Sequence, residues 1–298
     1  MNSHSSLIPA ADLNVSQGAT YLLVEPSHYD VSYSINPWMR PGTWAEDPAG
    51  HRAEAGSAFL ALAASLRDAG GIVEIADGAT GLPDMVFPAN GGIVLDGRAL
   101  VAKFRHPERQ GEEAAFQRVF AGFKSRGLIR EIIDLPDGCF QEGAGDCIWD
   151  ATRKLAWMGY GPRSSSQSPD VVRDVFGIEI LKLELATDRF YHLDTCFCVL
   201  PGGEVLFYPG AFSAAGNALI RDVVAPDLLI EASDEDAARF CVNAVALGRR
   251  IIMATPADRL TGVLSERGYT VMPVALDPFI LSGGGAYCMT LRLDLLTR

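Results

Sequence analysis

Short apolar runs punctuated by Gly, Pro and Asp alternate along this chain with longer stretches whose apolar positions return every three or four residues. The first pattern suits pleated strands and the second amphipathic helices. Strands are expected at residues 21–24, 71–75, 92–95, 99–104, 129–133, 146–150, 154–158, 179–184, 193–200, 204–208, 228–230, 250–254, 270–274 and 288–293. Helices are expected at 51–69, 111–125, 169–176, 211–221, 234–246 and 257–267. Ser168 before Pro169, and Ser233 before Asp234, Glu235 and Asp236, read as helix starts, where a hydroxyl cap and acidic side chains suit unpaired N–H groups. Leu95-Asp96-Gly97 and Pro201-Gly202-Gly203 read as tight turns between paired strands.

The order strand, strand, helix, strand returns roughly every 50 to 60 residues, as in supersecondary units set around an axis. A three-layer α/β sandwich would produce a similar string, and periodicity alone does not separate the two. No linker rich in Pro, Gly or Ser divides the chain. Residues 19–298 are therefore expected to form one domain behind a flexible segment at residues 1–18.

Composition narrows the function. Hydrophobic residues make up 48% of the 298, enough for a large core, and the net charge is −12. Binding nucleic acid or an acidic membrane surface needs clustered Lys and Arg, and none of the basic residues forms a run. A cationic small molecule is the more natural ligand. Met1 to Gly18 has no apolar signal core, and no stretch approaches the roughly 18 apolar residues of a spanning helix. The six cysteines (Cys139, Cys147, Cys196, Cys198, Cys241, Cys288) are thus expected to be reduced thiols of a cytoplasmic protein. No zinc spacing and no phosphate-binding glycine motif occurs, and His4, His28, His51, His106 and His192 form no metal-binding cluster.

Three segments carry candidate chemistry. His192 and Asp194 lie two apart, so a strand would turn both to one face as an acid/base unit, although an isolated pair of this kind is more often a surface contact. Ser282-Gly283-Gly284-Gly285-Ala286-Tyr287-Cys288 runs a glycine loop into an apolar strand. Its flexible backbone could aim N–H groups at a ligand and at a reactive thiolate, whereas a lone Cys there is more often a small buried hydrophobe. Glu142-Gly143-Ala144-Gly145-Asp146 sets two carboxylates around glycines, suited to a multi-donor cation such as guanidinium, or else to a solvated turn.

Seven segments in one order resemble the guanidino-group modifying enzymes, which include arginine deiminases, dimethylarginine dimethylaminohydrolases and amidinotransferases. They are Glu25-Pro26 through Tyr33-Ser34-Ile35-Asn36-Pro37-Trp38-Met39; Phe87-Pro88-Ala89-Asn90-Gly91-Gly92; Phe104-Arg105-His106-Pro107-Glu108-Arg109-Gln110-Gly111-Glu112; Glu142 to Asp146; Gly159-Tyr160-Gly161-Pro162-Arg163-Ser164; His192-Leu193-Asp194-Thr195; and the Cys288 loop. The resemblance implies a pentein-type α/β propeller of about five ββαβ modules around a pseudo-fivefold axis, with the active site at its centre.

By the same resemblance Cys288 attacks the guanidine carbon, His192 protonates the departing amine and then activates water, and Glu142 and Asp194 hold the guanidinium. Asp146 remains an alternative to Glu142 for that role. Asn36, Asp84 and Asn90 join the substrate-binding set, and Arg163, Arg105 or Arg109 would pair with the substrate α-carboxylate. No cofactor or metal is implied. The partner is a guanidino or ureido amino acid, and a homo-oligomer is left open.

Asn90 departs from the deiminases and dimethylarginine hydrolases, which carry aspartate there, and the latter also carry an acid at the position of Ala89. An amide both donates and accepts, so it could serve a guanidinium and a neutral ureido oxygen in turn. That feature, with the Asn-Pro-Trp-Met, Pro-Ala-Asn and Glu-Gly-Ala-Gly-Asp segments, is similar to the arginine dihydrolase branch, which takes arginine through two hydrolyses to ornithine, ammonia and carbon dioxide. A single-step deiminase or dimethylarginine hydrolase, a citrulline hydrolase, an amidinotransferase and a silent arginine-binding protein are the alternatives.

Overall fold

The computed structural model describes residues 18–298, so the segment expected to be flexible lies, Gly18 apart, outside the described residues. In chain order the elements are β1 (Thr20–Val24), α1 (Pro41–Glu46), α2 (Pro48–Asp68), β2 (Ile72–Ala76), β3 (Gly92–Leu95), β4 (Arg98–Val101), α3 (Pro107–Ser125), β5 (Glu131–Ile133), β6 (Cys147–Asp150), β7 (Leu155–Tyr160), α4 (Ser168–Phe176), β8 (Glu179–Glu184), β9 (Phe197–Val199), β10 (Val205–Phe207), α5 (Ala214–Val223), β11 (Leu229–Glu231), α6 (Asp234–Ala238), β12 (Val245–Leu247), β13 (Arg250–Ala254), α7 (Asp258–Glu266), β14 (Thr270–Val274), α8 (Asp277–Ile280) and β15 (Leu291–Arg292).

The strands form five three-stranded sheets. In four of them the first strand runs antiparallel to the second and the second parallel to the third: β3-β4-β5, β6-β7-β8, β9-β10-β11 and β12-β13-β14. An antiparallel neighbour can be reached by a tight turn, whereas a parallel one needs a crossover, and α3, α4, α5 and α7 supply it. The β3–β4 turn shows the local rule. Asp96 and Gly97 both take positive φ, 51° and 70°, the turn that matches strand twist and that Asp-Gly favours. The fifth unit joins the two ends of the sequence, with β15 antiparallel to β1, β1 parallel to β2, and α2 crossing between.

Several expected elements differ. The helix expected at 234–246 stops at Ala238; Phe240 takes φ 63° and the chain turns into β12. Phe240 packs edge-on against Trp38 at 4.9 Å, a tertiary contact that overrides alanine-rich helical propensity. The strand expected at 193–200 begins instead with a 3₁₀ turn, Leu193–Thr195, and the one expected at 288–293 shrinks to Leu291–Arg292. The helix expected at 211–221 starts at Ala214 under a Ser213 cap, while α1 was not expected. Ser233 caps α6 in a full capping box with Asp236, but Ser168 lies inside α4 and caps nothing.

Each module begins with an irregular segment just before its first strand. The turns Pro88–Gly91, Gly143–Gly145 and Leu193–Thr195 touch one another in series, and the backbone N–H of Ala89 donates to the Cys288 carbonyl at 3.2 Å. The pre-strand segments therefore converge on one place, and the chemistry-bearing residues sit there.

Candidate active site

The nucleophile candidate follows a helix stop. After α8, Gly283 takes φ 86°, and the N–H groups of Gly283 and Gly284 return to the carbonyls of Ile280 and Phe279. Those two glycines thus serve the turn and not a ligand. A side chain at 284 would collide with the Phe87 ring, and one at 285 would meet Asn243 and Phe240 at 2.8 Å. The loop lets Cys288 enter a crowded centre.

Cys288 Sγ lies 3.1 Å from Asp194 Oδ2 and receives the Asn243 Nδ2–H at 3.1 Å. Across the site His192 Nε2 is 2.8 Å from Glu142 Oε2, and His192 Nδ1 is 3.4 Å from Asn90 Nδ2. Glu142 also accepts from Arg163 Nη1 at 3.0 Å and from the Arg105 N–H at 3.1 Å. His192 therefore pairs with Glu142 and not with Asp194. The His-x-Asp sequence sits on a 3₁₀ turn, which sends its two side chains to different partners, so the acid/base unit expected from strand alternation does not form.

None of Asp84, Asn90, Arg109, Glu142, Arg163, His192, Asp194 and Cys288 is more than 4% exposed, so their charges act without water between them. Burial raises Asp194 to about 7, although Cys288, Asn243 and Arg109 pull it down. Burial, with Asp194 beside it, pushes the Cys288 thiol well above its usual range. Burial works against Glu142 as well, yet Arg163, His192 and Arg109 hold that carboxyl well below the carboxylate range. His192 falls to about 4 through burial, against the pull of Glu142. With Glu142 ionised and His192 neutral, the Nε2 hydrogen points at Glu142, which leaves Nδ1 as a free base facing Asn90.

Asn90 Oδ1 accepts from Arg109 Nη1 at 2.9 Å, so the amide turns its NH₂ toward His192 and the site. Arg109 also forks onto Glu112 with two bonds of 2.8 Å and reaches the Asp84 carbonyl at 3.2 Å, which leaves one of its N–H groups free. Arg163 gives one N–H to Glu142 and one to the Ile35 carbonyl and keeps three. Arg105 lies further out, bonded through Nε to the Arg163 carbonyl. Arg105 keeps four N–H groups but is only half-buried at the edge of the site; of the two buried arginines, Arg163 has more donors left for a carboxylate.

Asp146 stands behind the site. Its two oxygens accept from Ser164 and from the Leu193 N–H, so it fixes the turn that presents His192 and has no oxygen turned to a ligand. Asn36 likewise uses both amide ends on the backbone, at Ser282 and Trp38. Asp84 Oδ2 accepts from Tyr33. Its other oxygen, Oδ1, and Asp194 Oδ1 are buried without a hydrogen-bond partner among the described residues. A buried carboxylate oxygen without a donor is costly, and a cation with several N–H groups would satisfy both.

Asn243 was absent from the sequence-based set. No motif surrounds it, but it lies 51 residues after His192 and 45 before Cys288, in step with Asn90 and Glu142. Residues 34–295 match the family described as N,N dimethylarginine dimethylhydrolase, eukaryotic. The chain belongs to this family.

Within the dimethylarginine dimethylhydrolase family and its relatives, the bifunctional arginine dihydrolase/ornithine cyclodeaminase AgrE of Nostoc sp. is 39% identical over 273 residues, covering 92% of this chain. The chain spans only 37% of that relative's length. The N(G),N(G)-dimethylarginine dimethylaminohydrolase of Mycobacterium tuberculosis is 32% identical over 273 residues, 92% of this chain and 85% of its own. In crystal structures, the substrate-bound N-terminal domain of ArgZ, an arginine dihydrolase from cyanobacteria, superposes with a TM-score of 0.87 at 36% identity, over 94% of this chain and 100% of that one. A dimethylarginine dimethylaminohydrolase adduct with S-methyl-L-thiocitrulline, 17% identical, shares the fold at a TM-score of 0.70 over 92% of this chain and 99% of that one. The five modules are those of the pentein-type α/β propeller.

Proposed function

We propose that this chain hydrolyses the guanidine group of arginine twice in succession, giving ornithine, ammonia and carbon dioxide. The observation that carries the two-step reading is the orientation of Asn90. Arg109 occupies its oxygen, so a neutral donor faces His192 and the site where an aspartate could offer only acceptors. Such a donor suits a ureido oxygen and lets the first product stay for a second attack. Similarity to AgrE and ArgZ supports the same reading, as does the cysteine-to-serine form of ArgZ that was crystallised with substrate.

In this reading the free oxygens of Asp84 and Asp194 receive the substrate's ammonium and guanidinium, and Arg163, with the last N–H of Arg109, receives its carboxylate. Cys288 Sγ bonds to the guanidine carbon. As that bond forms the thiol proton passes to His192 Nδ1; the C–N bond to ammonia breaks as Nδ1 returns this proton to the leaving nitrogen, and the same Nδ1 then takes a proton from the water that displaces sulphur. A second round on the ureido carbon consumes another water, releases another ammonia and leaves a carbamate that loses carbon dioxide. Residues 19–298 act as one catalytic domain.

Purified protein given arginine should accumulate ornithine; citrulline as the sole end product would sink the two-step reading. Asn90→Asp should shift the product toward citrulline. Cys288→Ser should abolish turnover and keep arginine binding, and surviving turnover would remove the mechanism altogether. The family match favours a second reading, hydrolysis of dimethylarginine, which release of dimethylamine would reveal. Ala89, buried where the resemblance places an acid in that enzyme class, speaks against it.

A further inference from the structure

Four of the five modules place a candidate reacting or binding group just before their first strand: Asn90 before β3, Glu142 before β6, His192 before β9 and Cys288 before β15. The remaining module places Asn243 before β12, and the five positions follow one another at 52, 50, 51 and 45 residues. Asn243 is fully buried.

Its orientation is unambiguous. Oδ1 accepts the backbone N–H groups of Tyr287 at 2.9 Å and Cys288 at 3.2 Å, a role open only to oxygen. The amide nitrogen must then donate to the Asp194 carbonyl at 3.0 Å and to Cys288 Sγ at 3.1 Å. Only glycine at 285 leaves room for Asn243.

We propose that Asn243 is a catalytic residue whose amide N–H is the fixed donor that holds the Cys288 thiolate. The inference deepens the hydrolase reading and rests on Cys288 as its nucleophile. When the thiol ionises, its hydrogen bond to Asp194 Oδ2 is lost and a sulphur anion stands 3.1 Å from that oxygen. Until the substrate cation arrives, the Asn243 N–H is the fixed partner of the negative sulphur. Preorganised donors of this kind hold charge without rearranging at the moment of reaction.

A purely structural Asn243 would matter through Oδ1, which pins the 287–288 turn, and through the N–H that holds the Asp194 carbonyl, neither of which follows the charge on sulphur. Asn243→Asp keeps that acceptor and removes the donor; Asn243→Ser keeps a smaller donor and removes the pin. The readout is the ultraviolet thiolate band of Cys288, taken as the difference from Cys288→Ser and followed against pH in protein whose fold is checked by circular dichroism. In Asn243→Asp the midpoint should rise by at least about one pH unit, a tenfold loss of thiolate, and kcat/KM for arginine should fall about 10²- to 10³-fold, mainly in kcat. Asn243→Ser should shift the midpoint less. An unshifted midpoint in folded Asn243→Asp overturns the proposal.

Should both variants fail to fold, the wild type decides. The Asn243 side-chain amide proton should shift in NMR spectra with the same midpoint as the thiolate band, and the shift should vanish in Cys288→Ser. A pH-insensitive resonance overturns the proposal as well. Because thiolate titration needs no turnover, absence of arginine hydrolysis would defeat the proposed function and leave this test standing.

Discussion

Two buried residues of the site titrate in opposite senses, and the sign of each follows from its shift. His192, lowered from 6.5 to about 4, takes its proton in the unfolded chain first, so its contribution to stability is lost as pH falls from 6.5 toward 4. Asp194, raised from 3.8 to about 7, keeps its proton longer in the folded protein, so its contribution is lost as pH rises from 3.8 through 7. Each shift corresponds to about 3 to 4 kcal/mol at most, and the two slopes largely cancel in the wild type. Asp194→Asn should therefore be more stable than wild type in thermal melts at pH 8, by up to about 4 kcal/mol, with little gain at pH 4. A gain equal at both values would show that Asp194 is not protonated within that range. Arginine should narrow the gap at pH 8, since its cation would supply the partner Asp194 Oδ1 lacks. At this scale the motifs made Cys288, His192, Glu142 and Asp194 legible. What they could not convey was partnership: that His192 meets Glu142, that Arg109 holds Asn90, and that Asp146 lies behind, all fixed by contacts between distant segments.

Elements carry the site through close packing. Phe87, next to the turn that bears Asn90, is wedged edge-on against Tyr29 and Phe279, each ring centre at 6.3 Å, and fills the space above Gly284. Gly284→Ala should destabilise the protein by about 1–3 kcal/mol in denaturant unfolding, as overpacked cores do. Phe87→Leu in the same chain should recover part of that loss; a strictly additive double mutant would show that the two positions do not clash. Most strands were legible because alternating and continuous apolar runs survive as buried β structure. The segment from Ser233 to Leu247 was not, since its alanines favour a helix and only the packing of Phe240 on Trp38, with Asn243 brought to Cys288, breaks it.

At the scale of the molecule, the repeated order of strand, strand, helix, strand made the modules legible, but not their closure. That closure pairs Tyr21 with Arg292 and Leu22 with Leu291. Residues beyond β15 extend it, with the Leu293 N–H donating to the Thr20 carbonyl and the Asp96 N–H to the Leu295 carbonyl. A chain shortened to end at Thr290 should lose its single sharp unfolding transition along with turnover. If calorimetry showed one unchanged transition, β15 would not be closing the ring. The same spacing of about 50 residues that marks the modules could have pointed to Asn243 beforehand, had the interval between His192 and Cys288 been read as one step too long.

The pairing of β15 with β1 also orders events in time. Translation runs from the amino end, so Asn90, Glu142, His192, Asp194 and Asn243 leave the ribosome before Cys288 does. The other groups of the candidate site can gather first, while Cys288 arrives late and is locked in place only when β15 finds β1.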